Sequence, residues 1–385
     1  LAGRGHQVYV LNLPRKKVPE FTEFEKNIFL VRVPVPEKIN NYLFALENTL
    51  PLFDLIWYNY VIKYVIKYET DILHAHDLYM ARPAKWAADR LKIPLILDLH
   101  ENYPAAVKEY QWANMFPSSL IVRPEKWKRK ERKYLSYAEK IIVLSSSFRN
   151  LLLSEYPELN RDRFEVYPNV PDIERMLSYG INKNIIPLDG RKIVFYFGVI
   201  SKRRGIFTAL EALEQVVTEH PLLHLLLVGP IDKAEKEIFS RAFMKDGIRE
   251  HITYIPWKDI GEFPSLANAS AICISPILKN PQHDSGVANK VFQYMLFGKP
   301  ILVSDCDPQV EIVRRTGCGL TFKSGDASDM AIKLSQLLND DEKCKIMGEK
   351  GKKAVYDEYN TEKQGEAIIK AYEDLLTFRN FLHDS

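Results

Sequence analysis

The stretch KIVFYFGVISKRRG, at positions 192–205, has the form of one strand that leads into one helix. Its opening residues are mostly apolar and β-branched or aromatic, which predicts a buried strand, and Gly198 ends that run. The cations Lys202, Arg203 and Arg204 precede Gly205, after which apolar residues recur at helical spacing. A buried strand followed directly by a helix is typical of a parallel sheet covered on both faces.

The same alternation extends in both directions from this stretch. Strands are predicted at Gln7–Leu13, Phe29–Val33, Ile72–His76, Leu95–Leu99, Lys140–Leu144, Phe164–Tyr167, Lys192–Phe197, Leu223–Val228, Ile252–Ile255, Ala271–Ser275, Ile301–Ser304 and Gly319–Phe322. Helices are predicted at Ala81–Leu91, Arg123–Tyr137, Gly205–His220, Ala234–Asp246, Lys290–Phe297, Ala327–Leu338 and Asp341–Glu358. These strands are too many for one such sheet, so we predict an α/β protein of two doubly wound, Rossmann-like domains.

Composition places the boundary between the domains. Turn-forming residues are dense between Asp172 and Arg191, which predicts a linker at 173–190 between an N-terminal domain at 1–172 and a C-terminal domain at 191–358. Residues 359–385 are predicted to form a final helix that crosses back onto the N-terminal domain. At the other end, Gly3 and Gly5 resemble the end of a helix. We therefore expect a first strand and most of a first helix to precede Leu1.

Charge and composition exclude several classes of protein. The chain has 385 residues, with 53 Lys and Arg against 50 Asp and Glu, so its net charge of +3 is far below that of a general polyanion binder. The four cysteines form no C-x-x-C pair, which indicates neither a disulfide framework nor a zinc site and suits a reducing compartment. The most apolar segment, 50–68, is interrupted by charged residues and does not predict a membrane span.

Three strand ends are candidate ligand sites, because open α/β sheets bind ligands beyond the carboxyl ends of their strands. The first is Gly198 with the cations up to Arg204, a combination that suits a diphosphate or is only a solvated basic loop. The second is Gly229, after the strand at 223–228. The third is HDSGVANKVFQYMLFGKP at 283–300, in which Gly286 precedes a short helix whose free N–H groups favour an anion.

The third segment resembles the sugar-nucleotide site of the family-4 retaining glycosyltransferases (glycosyl transferase group 1), which have the two-domain GT-B fold. The family's small-Gly-x-Pro pattern falls on Gly298 and Pro300, its second glutamate on Gln293, and its first glutamate on Ser285, with Asp284 beside it. Val199 replaces the family's usual arginine, which leaves Lys202 or Arg203 to share the role of Arg204. The resemblance implies that the donor is bound by Gly198, Lys202, Arg204, Gly229, Asp284, Ser285, Gly286, Val287, Ala288, Asn289, Lys290 and Gln293.

The N-terminal half supports this resemblance. The segments DILHAHD at 71–77 and PLILDLHE at 94–101 look like the strand ends that carry the family's histidines. The resemblance implies that His100 is the catalytic residue that contacts the donor sugar, and that His76, Asp77 and Glu101 line the acceptor side. The pair His74 and His76 suggests a metal, but the sequence identifies no third ligand, so we expect none.

Two further segments have surface interpretations. The segment at 123–133 is rich in lysine and arginine, which is typical of a solvated helix face or of contact with anionic lipids. Trp127 and the aromatic segment Trp57–Tyr68 would support the lipid contact. The final helix has apolar residues at helical spacing, such as Ile368, Tyr372 and Leu375, and these are predicted to form the face that packs on the N-terminal domain.

The resemblance implies a metal-independent enzyme without cofactors, facing its substrates across a cleft between the two domains. It would move a hexose-type sugar from a nucleoside-diphosphate sugar to a hydroxyl of a glycan or lipid-linked glycan, with retention of configuration. It would bind no nucleic acid and would work in the cytoplasm, at most peripherally at the membrane. Two alternatives remain, a sugar-nucleotide 2-epimerase of the same fold and a weakly active or inactive sugar-nucleotide-binding homologue. Nucleotide base, sugar, acceptor and oligomeric state are not encoded in a recognisable pattern.

Overall fold

The computed structural model describes residues 1–13, 19–34, 51–110, 123–182, 185–186 and 190–383. The chain divides into two compact units. The first consists of Leu1–Val143, Leu151–Val166 and Ala367–Ser385, and the second of Leu144–Asn150 and Tyr167–Glu366. Both units are α/β with parallel sheets, which confirms the predicted fold class.

The elements follow one another in strict alternation over much of the chain. The strands are β1 Val8–Asn12, β2 Phe21–Glu25, β3 Ile28–Arg32, β4 Leu73–His76, β5 Leu95–Leu99, β6 Lys140–Val143, β7 Phe164–Val166, β8 Lys192–Phe197, β9 Leu223–Val228, β10 Ile252–Ile255, β11 Ile272–Ser275, β12 Ile301–Ser304 and β13 Gly319–Phe322. The helices are α1 Pro51–Lys67, α2 Ala81–Leu91, α3 Tyr103–Glu109, α4 Pro124–Leu135, α5 Ser146–Glu155, α6 Ile173–Ser178, α7 Ile206–Val216, α8 Lys236–Phe243, α9 Phe263–Ala269, α10 Asn289–Leu296, α11 Asp307–Thr316, α12 Ala327–Leu338, α13 Asp341–Asp357 and α14 Thr361–His383.

The first unit contains a four-stranded parallel sheet in the order β4-β5-β6-β7 and a three-stranded sheet in the order β1-β3-β2. In the latter, β1 pairs parallel with β3, whereas β2 pairs antiparallel with β3. Strand β2 was not predicted, because its sequence FTEFE mixes exposed acidic and aromatic residues and lacks the continuous apolar run of a buried strand. Asn27, with φ of 65°, makes the turn between β2 and β3, and it was the available signal for this hairpin.

The second unit is built on a six-stranded parallel sheet in the order β10-β9-β8-β11-β12-β13. Numbered along the chain, these strands follow the order 3-2-1-4-5-6 of a doubly wound sheet, and the order reverses between β8 and β11. Alternate residues of β8 enter different cores, Val194 and Tyr196 on one face and Ile193 and Phe195 on the other. Burial on both faces explains why the strand sequences are continuously apolar.

The predicted linker at 173–190 contains regular structure. Helix α6 begins after Asp172, whose carboxylate accepts a hydrogen bond of 3.0 Å from the backbone N–H of Arg175. An aspartate in this position is a signal for the start of a helix, but the many turn-forming residues that follow favoured the prediction of a linker. Residues 183–184 and 187–189 of the linker lie outside the described residues.

Candidate functional site

The carboxyl ends of β8 and β9 meet at two glycines in the second unit. Gly198 donates its backbone N–H to the carbonyl of Val228 at 2.9 Å, and Gly229 follows directly. Gly229 has a φ of +142°, and a Cβ built on it would lie 2.1 Å from the carbonyl oxygen of Gly198. Only glycine fits at position 229, and its lack of a side chain allows the backbones of the two strand ends to stay in contact.

The loop after Gly198 is fixed on the segment that follows β11. Gly205 has a φ of +71°, and a Cβ there would lie 1.6 Å from the carbonyl oxygen of Pro276. Leu278 donates its N–H to the carbonyl of Arg203 at 3.0 Å. The cationic loop is thus held between β8 and β11, where the strand order reverses and where sheets of this type bind ligands.

Lys290, in the first turn of α10, is buried beside this loop. Its ammonium lies 3.6 Å from the centre of the Tyr196 ring, and 3.5 Å from the position that a Cβ of Gly198 would occupy. Burial, and then the charge of Arg204, lower the pKa of Lys290 well below its ordinary value. Among the described residues, no carboxylate forms an ion pair with this ammonium.

Gly198, Arg204, Gly229 and Lys290 therefore form one group, which we call the lysine site. Arg204 also lowers the pKa of His283, after the larger effect of burial, to about 4. Helix α10 begins after Ala288 without a side-chain hydrogen bond to its first turn. Positive charge and free backbone N–H groups thus occur together at the start of this helix.

The other residues of the segment 284–293 have mainly structural contacts. Asp284 accepts hydrogen bonds from the backbone N–H of Asp307 at 2.9 Å and from Lys279 at 3.3 Å. The buried Ser285 hydroxyl donates to the carbonyl of Gln282 at 2.6 Å. Gly286 lies against Leu144, where a Cβ would come within 2.8 Å of that side chain. The remaining members are the buried Val287, the exposed Asn289, and Ala288 and Gln293, which are partly buried.

The two cations suggested as substitutes for an arginine at position 199 have contacts of their own among the described residues. Lys202 is exposed, and its backbone N–H donates to Glu235 at 2.6 Å. Arg203 donates to the side-chain oxygen of Gln282 at 3.2 Å. Lys290 is instead the cation adjacent to Gly198, the residue before Val199.

The first unit holds a second group, His74, His76, Asp98 and His100, which we call the histidine cluster. Strands β4 and β5 run parallel with His76 opposite Asp98, so their carboxyl ends bring these side chains together. Oδ2 of Asp98 lies 3.3 Å from Nε2 of His74, 3.2 Å from Nδ1 of His76 and 3.0 Å from Nε2 of His100. His76 Nδ1 also lies 3.0 Å from His100 Nε2.

The cluster shifts the pKa values of its members in opposite directions. Burial favours the neutral form of Asp98, but hydrogen bonds from His100, His74 and His76 outweigh it and hold the pKa of Asp98 below its usual range. The hydrogen bond to Asp98 raises the pKa of His100 against the effect of burial. Burial lowers the pKa of His74, although Asp98 opposes this. Asp98 is therefore ionised at neutral pH.

The two acceptor-side carboxylates lie next to this cluster along the chain. Asp77 has a φ of 68°, donates its N–H to the carbonyl of Asp98 at 2.7 Å and accepts from the Tyr79 hydroxyl at 3.1 Å. Such a backbone conformation is unusual for aspartate and is frequent at functional sites. Glu101 accepts a hydrogen bond of 2.6 Å from the Tyr110 hydroxyl.

A third possible metal ligand beside His74 and His76, which could not be identified from the sequence, is present in the structure. A ligand atom of His74, one of His76 and one of Asp98 all lie within 4.8 Å of one another. Two imidazoles and a carboxylate are a donor set that suits a divalent transition metal. The register of β4 against β5 was the missing information, because it places Asp98 opposite His76.

The basic segment forms α4, and its aromatic residue is not at the surface. Trp127 is buried and packs edge-on against Tyr103, with ring centres 4.9 Å apart. Trp57 is buried as well. The exposed cations of the segment are Arg123, Lys126, Arg129, Arg132 and Lys133. Among the described residues, no helix combines the length and apolarity needed to cross a bilayer.

Comparison with known proteins identifies relatives for both halves. The model of "Glycosyltransferase Family 4" matches residues 1–175, and that of "Glycosyl transferases group 1" matches residues 181–354. The phosphatidyl-myo-inositol mannosyltransferase of Mycobacterium leprae is 23% identical over 380 residues, which cover 98% of this chain and 90% of that protein.

Solved structures share the fold at lower identity. A sucrose-phosphate synthase from Thermosynechococcus elongatus superimposes with a TM-score of 0.74 at 18% identity, over 98% of this chain and 90% of the other. The Anabaena protein HepE, in complex with UDP-glucose, gives a TM-score of 0.66 at 14% identity, over 85% of this chain and 84% of the other.

Proposed function

This chain belongs to the group 1 glycosyltransferases, enzymes that transfer sugars, and on that premise we propose that it uses a nucleoside-diphosphate sugar, retains the anomeric configuration and needs no metal. The acceptor in this proposal is a hydroxyl of a glycan or a lipid-linked glycan. The observation that carries the proposal is the lysine site, in which a buried ammonium lies beside Arg204 without a carboxylate partner among the described residues.

A buried cation without a counter-ion costs free energy, and two neighbouring cations cost more. A diphosphate would supply the missing negative charge, and its oxygens would accept hydrogen bonds from the ammonium, the guanidinium and the free N–H groups of α10. The absence of a side chain at Gly198 leaves the space beside the Lys290 ammonium open to a ligand. HepE, which shares the fold, is described in complex with UDP-glucose, and this supports a diphosphate-containing donor.

The same charges suit the chemistry of sugar transfer. When the bond between the sugar and the diphosphate breaks, negative charge develops on the leaving phosphate, and fixed cations stabilise it most at that moment. Lys290 and Arg204 would thus replace the divalent cation that other transferases use. His100 is the residue proposed to contact the sugar, and the acceptor hydroxyl would transfer its proton to the departing phosphate.

The experiment that tests the proposal compares sugar transfer and nucleotide binding on the same preparations. A thermal-shift panel of nucleoside diphosphates identifies the base, because a ligand that binds the folded protein raises its Tm. With the matching sugar nucleotide and a chelator present, the wild type should release nucleoside diphosphate when an acceptor is added. Arg204→Ala should weaken binding roughly 10- to 100-fold, and Arg314→Ala, which removes an exposed arginine of α11, should not. Absence of any diphosphate binding by the wild type would contradict the proposal.

One observation favours a binding protein over an enzyme. Asp284 and Ser285, the candidates for the family's first carboxylate, are bound to Asp307, Lys279 and Gln282, and position 293 is an amide. If Gln293→Glu tightens donor binding but neither form transfers sugar to any acceptor, the binding role is correct. Conversion of the donor to an epimer without acceptor would instead identify an epimerase.

We also propose peripheral contact with anionic lipid. The sequence suggested that cations and aromatic residues would make this contact together. Because Trp127 and Trp57 are buried, the contact would rest on the exposed cations of α4 and Arg123 alone. Binding of that kind is electrostatic and weakens in high salt.

A further inference from the structure

Asp98 is the common partner of every imidazole in the histidine cluster. It is only 14% exposed, whereas the His100 side chain is 46% exposed. One of its oxygens, Oδ2, faces nitrogens of His74, His76 and His100 at 3.0–3.3 Å. A carboxylate that was only a surface charge would not be enclosed by three rings.

Hydrogen-bond chemistry assigns the protons. An ionised carboxylate can only accept, so the nitrogen of His100 that faces Asp98, Nε2, carries a hydrogen. The Nδ1 atom of His76 lies 3.2 Å from the same carboxylate oxygen and carries a hydrogen for the same reason, so its 3.0 Å distance from Nε2 of His100 reflects two donors that share one acceptor. The described contacts of His100 through hydrogen bonds all use Nε2, which leaves Nδ1 as the nitrogen with a lone pair in the neutral ring.

Asp98 is itself held from the other side. Nε2 of His74 faces Asp98 at 3.3 Å and therefore donates to it, which leaves Nδ1 of His74 as an acceptor in the neutral ring. The hydroxyl of Tyr372, on α14, forms a short hydrogen bond with that Nδ1. The rings of His74 and His76 stack with their centres 4.5 Å apart. A continuous chain of contacts thus runs from α14 through His74 to Asp98 and His100.

We propose that Asp98 is a positioning residue that keeps the hydrogen of His100 on Nε2, so that Nδ1 is the nitrogen offered to the transferred sugar, and that Tyr372 steadies Asp98 through His74. The sugar-binding part of this inference rests on the proposed function, whereas the proton position does not. A carboxylate that fixes the tautomer and orientation of a functional histidine is a general catalytic device.

The proton position is measured directly by NMR of protein labelled with nitrogen-15 in its histidines. The chain has nine histidines, and the His100 signals are those that disappear in His100→Gln. In the wild type, at a pH high enough for the His100 ring to be neutral, its signals should show a hydrogen on Nε2 and none on Nδ1. In Asp98→Asn they should move toward a mixture of both tautomers, because an amide can donate as well as accept. Tyr372→Phe, which keeps Asp98, should produce a smaller shift in the same direction.

Kinetics then test the positioning role. Asp98→Asn should lower kcat roughly 10- to 100-fold while KM for the sugar nucleotide and the affinity for nucleoside diphosphate stay close to wild type. Asp54→Asn is the matched control, since it also removes a buried carboxylate of the first unit, the partner of Arg82, without touching the cluster. It should lower stability and leave kcat unchanged in the folded fraction.

The outcomes separate the two hypotheses. Unchanged His100 signals and unchanged kcat in Asp98→Asn would overturn the positioning role, and Tyr372→Phe keeps this test available should Asp98→Asn fail to fold. A wild type that binds diphosphate but transfers no sugar would overturn the proposed function, while the NMR measurement still decides the proton position. A stoichiometric divalent metal in the purified protein, whose removal shifts the histidine signals, would identify a metal site and overturn the inference.

Discussion

Lys290 is the residue at which stability and function conflict. Its ammonium is buried against Tyr196, and burial together with Arg204 lowers its pKa well below the ordinary 10.5. Between the folded-state pKa and 10.5, the unfolded chain binds a proton that the folded protein does not. The free energy of unfolding of the unliganded protein therefore carries a cost from Lys290 at neutral pH. A bound diphosphate would remove that cost.

Lys290→Met should accordingly raise the stability of the unliganded protein while it removes the site's function. We expect a gain of roughly 1–3 kcal/mol at pH 7, and a smaller gain near pH 10, where the unfolded lysine is also losing its charge. Denaturant unfolding at both pH values measures this, and nucleoside diphosphate should no longer stabilise the variant.

Lys299→Met is the control for this prediction. Lys299 also has a pKa lowered by burial, but its ammonium donates to the carbonyl of Asn268 at 2.8 Å and so has a partner. Its replacement removes this hydrogen bond together with the charge, so it should raise stability by less than Lys290→Met and should leave diphosphate binding intact. If Lys290→Met behaves in the same way, the ammonium at 290 is a structural group and not a ligand site.

The sequence located single residues better than it located their partners. The family resemblance singled out His100, Arg204 and Lys290, which stand at predicted strand and helix ends. Asp98 was missed as a partner, because only the register of β4 against β5 shows that it lies opposite His76. Likewise, the contact of Asp284 with the backbone of Asp307 joins positions that no local pattern connects.

At the scale of elements, strand positions were predictable wherever burial on both faces made the sequence continuously apolar. All the parallel strands of the second unit were predicted within one residue of their observed ends. Strand β2 was missed because it is an antiparallel edge strand with a mostly exposed, partly acidic surface. Helices such as α6 and α11 were missed because they are short or follow turn-forming residues.

The contact between Gly205 and Pro276 determines where the cationic loop lies. Gly205→Ala should lower stability by more than the about 1–2 kcal/mol expected for alanine at positive φ, because its Cβ would overlap the Pro276 carbonyl. Gly247→Ala is the matched control, with a φ of +85° and open space around the new methyl group. Thermal unfolding of the two variants measures the effect of the overlap as the difference between their losses of stability. Equal losses of stability would show that the loop is not held at Pro276.

At the scale of the whole molecule, the sheet order of the second unit explains where its ligand site falls. The strand order 3-2-1-4-5-6 could not be derived from the sequence, because pairing between distant strands leaves no local signal. Once it is known, the reversal between β8 and β11 coincides with the loop that carries Arg204.

The distribution of exposed charge leads to a prediction for lipid binding. Wild-type protein should bind vesicles that contain anionic lipid, and the triple variant Lys126→Gln, Arg129→Gln, Lys133→Gln should bind them much less, at about 1 kcal/mol per cation. The control removes three exposed lysines of α13, as Lys343→Gln, Lys345→Gln, Lys352→Gln, for the same change in net charge. Equal loss in both variants would show that only net charge matters and that α4 is not a lipid-binding surface.

Binding of a diphosphate by Lys290 and Arg204 of the second unit is tested most directly by calorimetric titration at fixed salt. The preferred nucleoside diphosphate should bind with at least tenfold higher affinity than its monophosphate, and Lys290→Met combined with Arg204→Ala should remove that difference. Equal affinity of the wild type for the two nucleotides, or an unchanged preference in the double variant, would contradict the account.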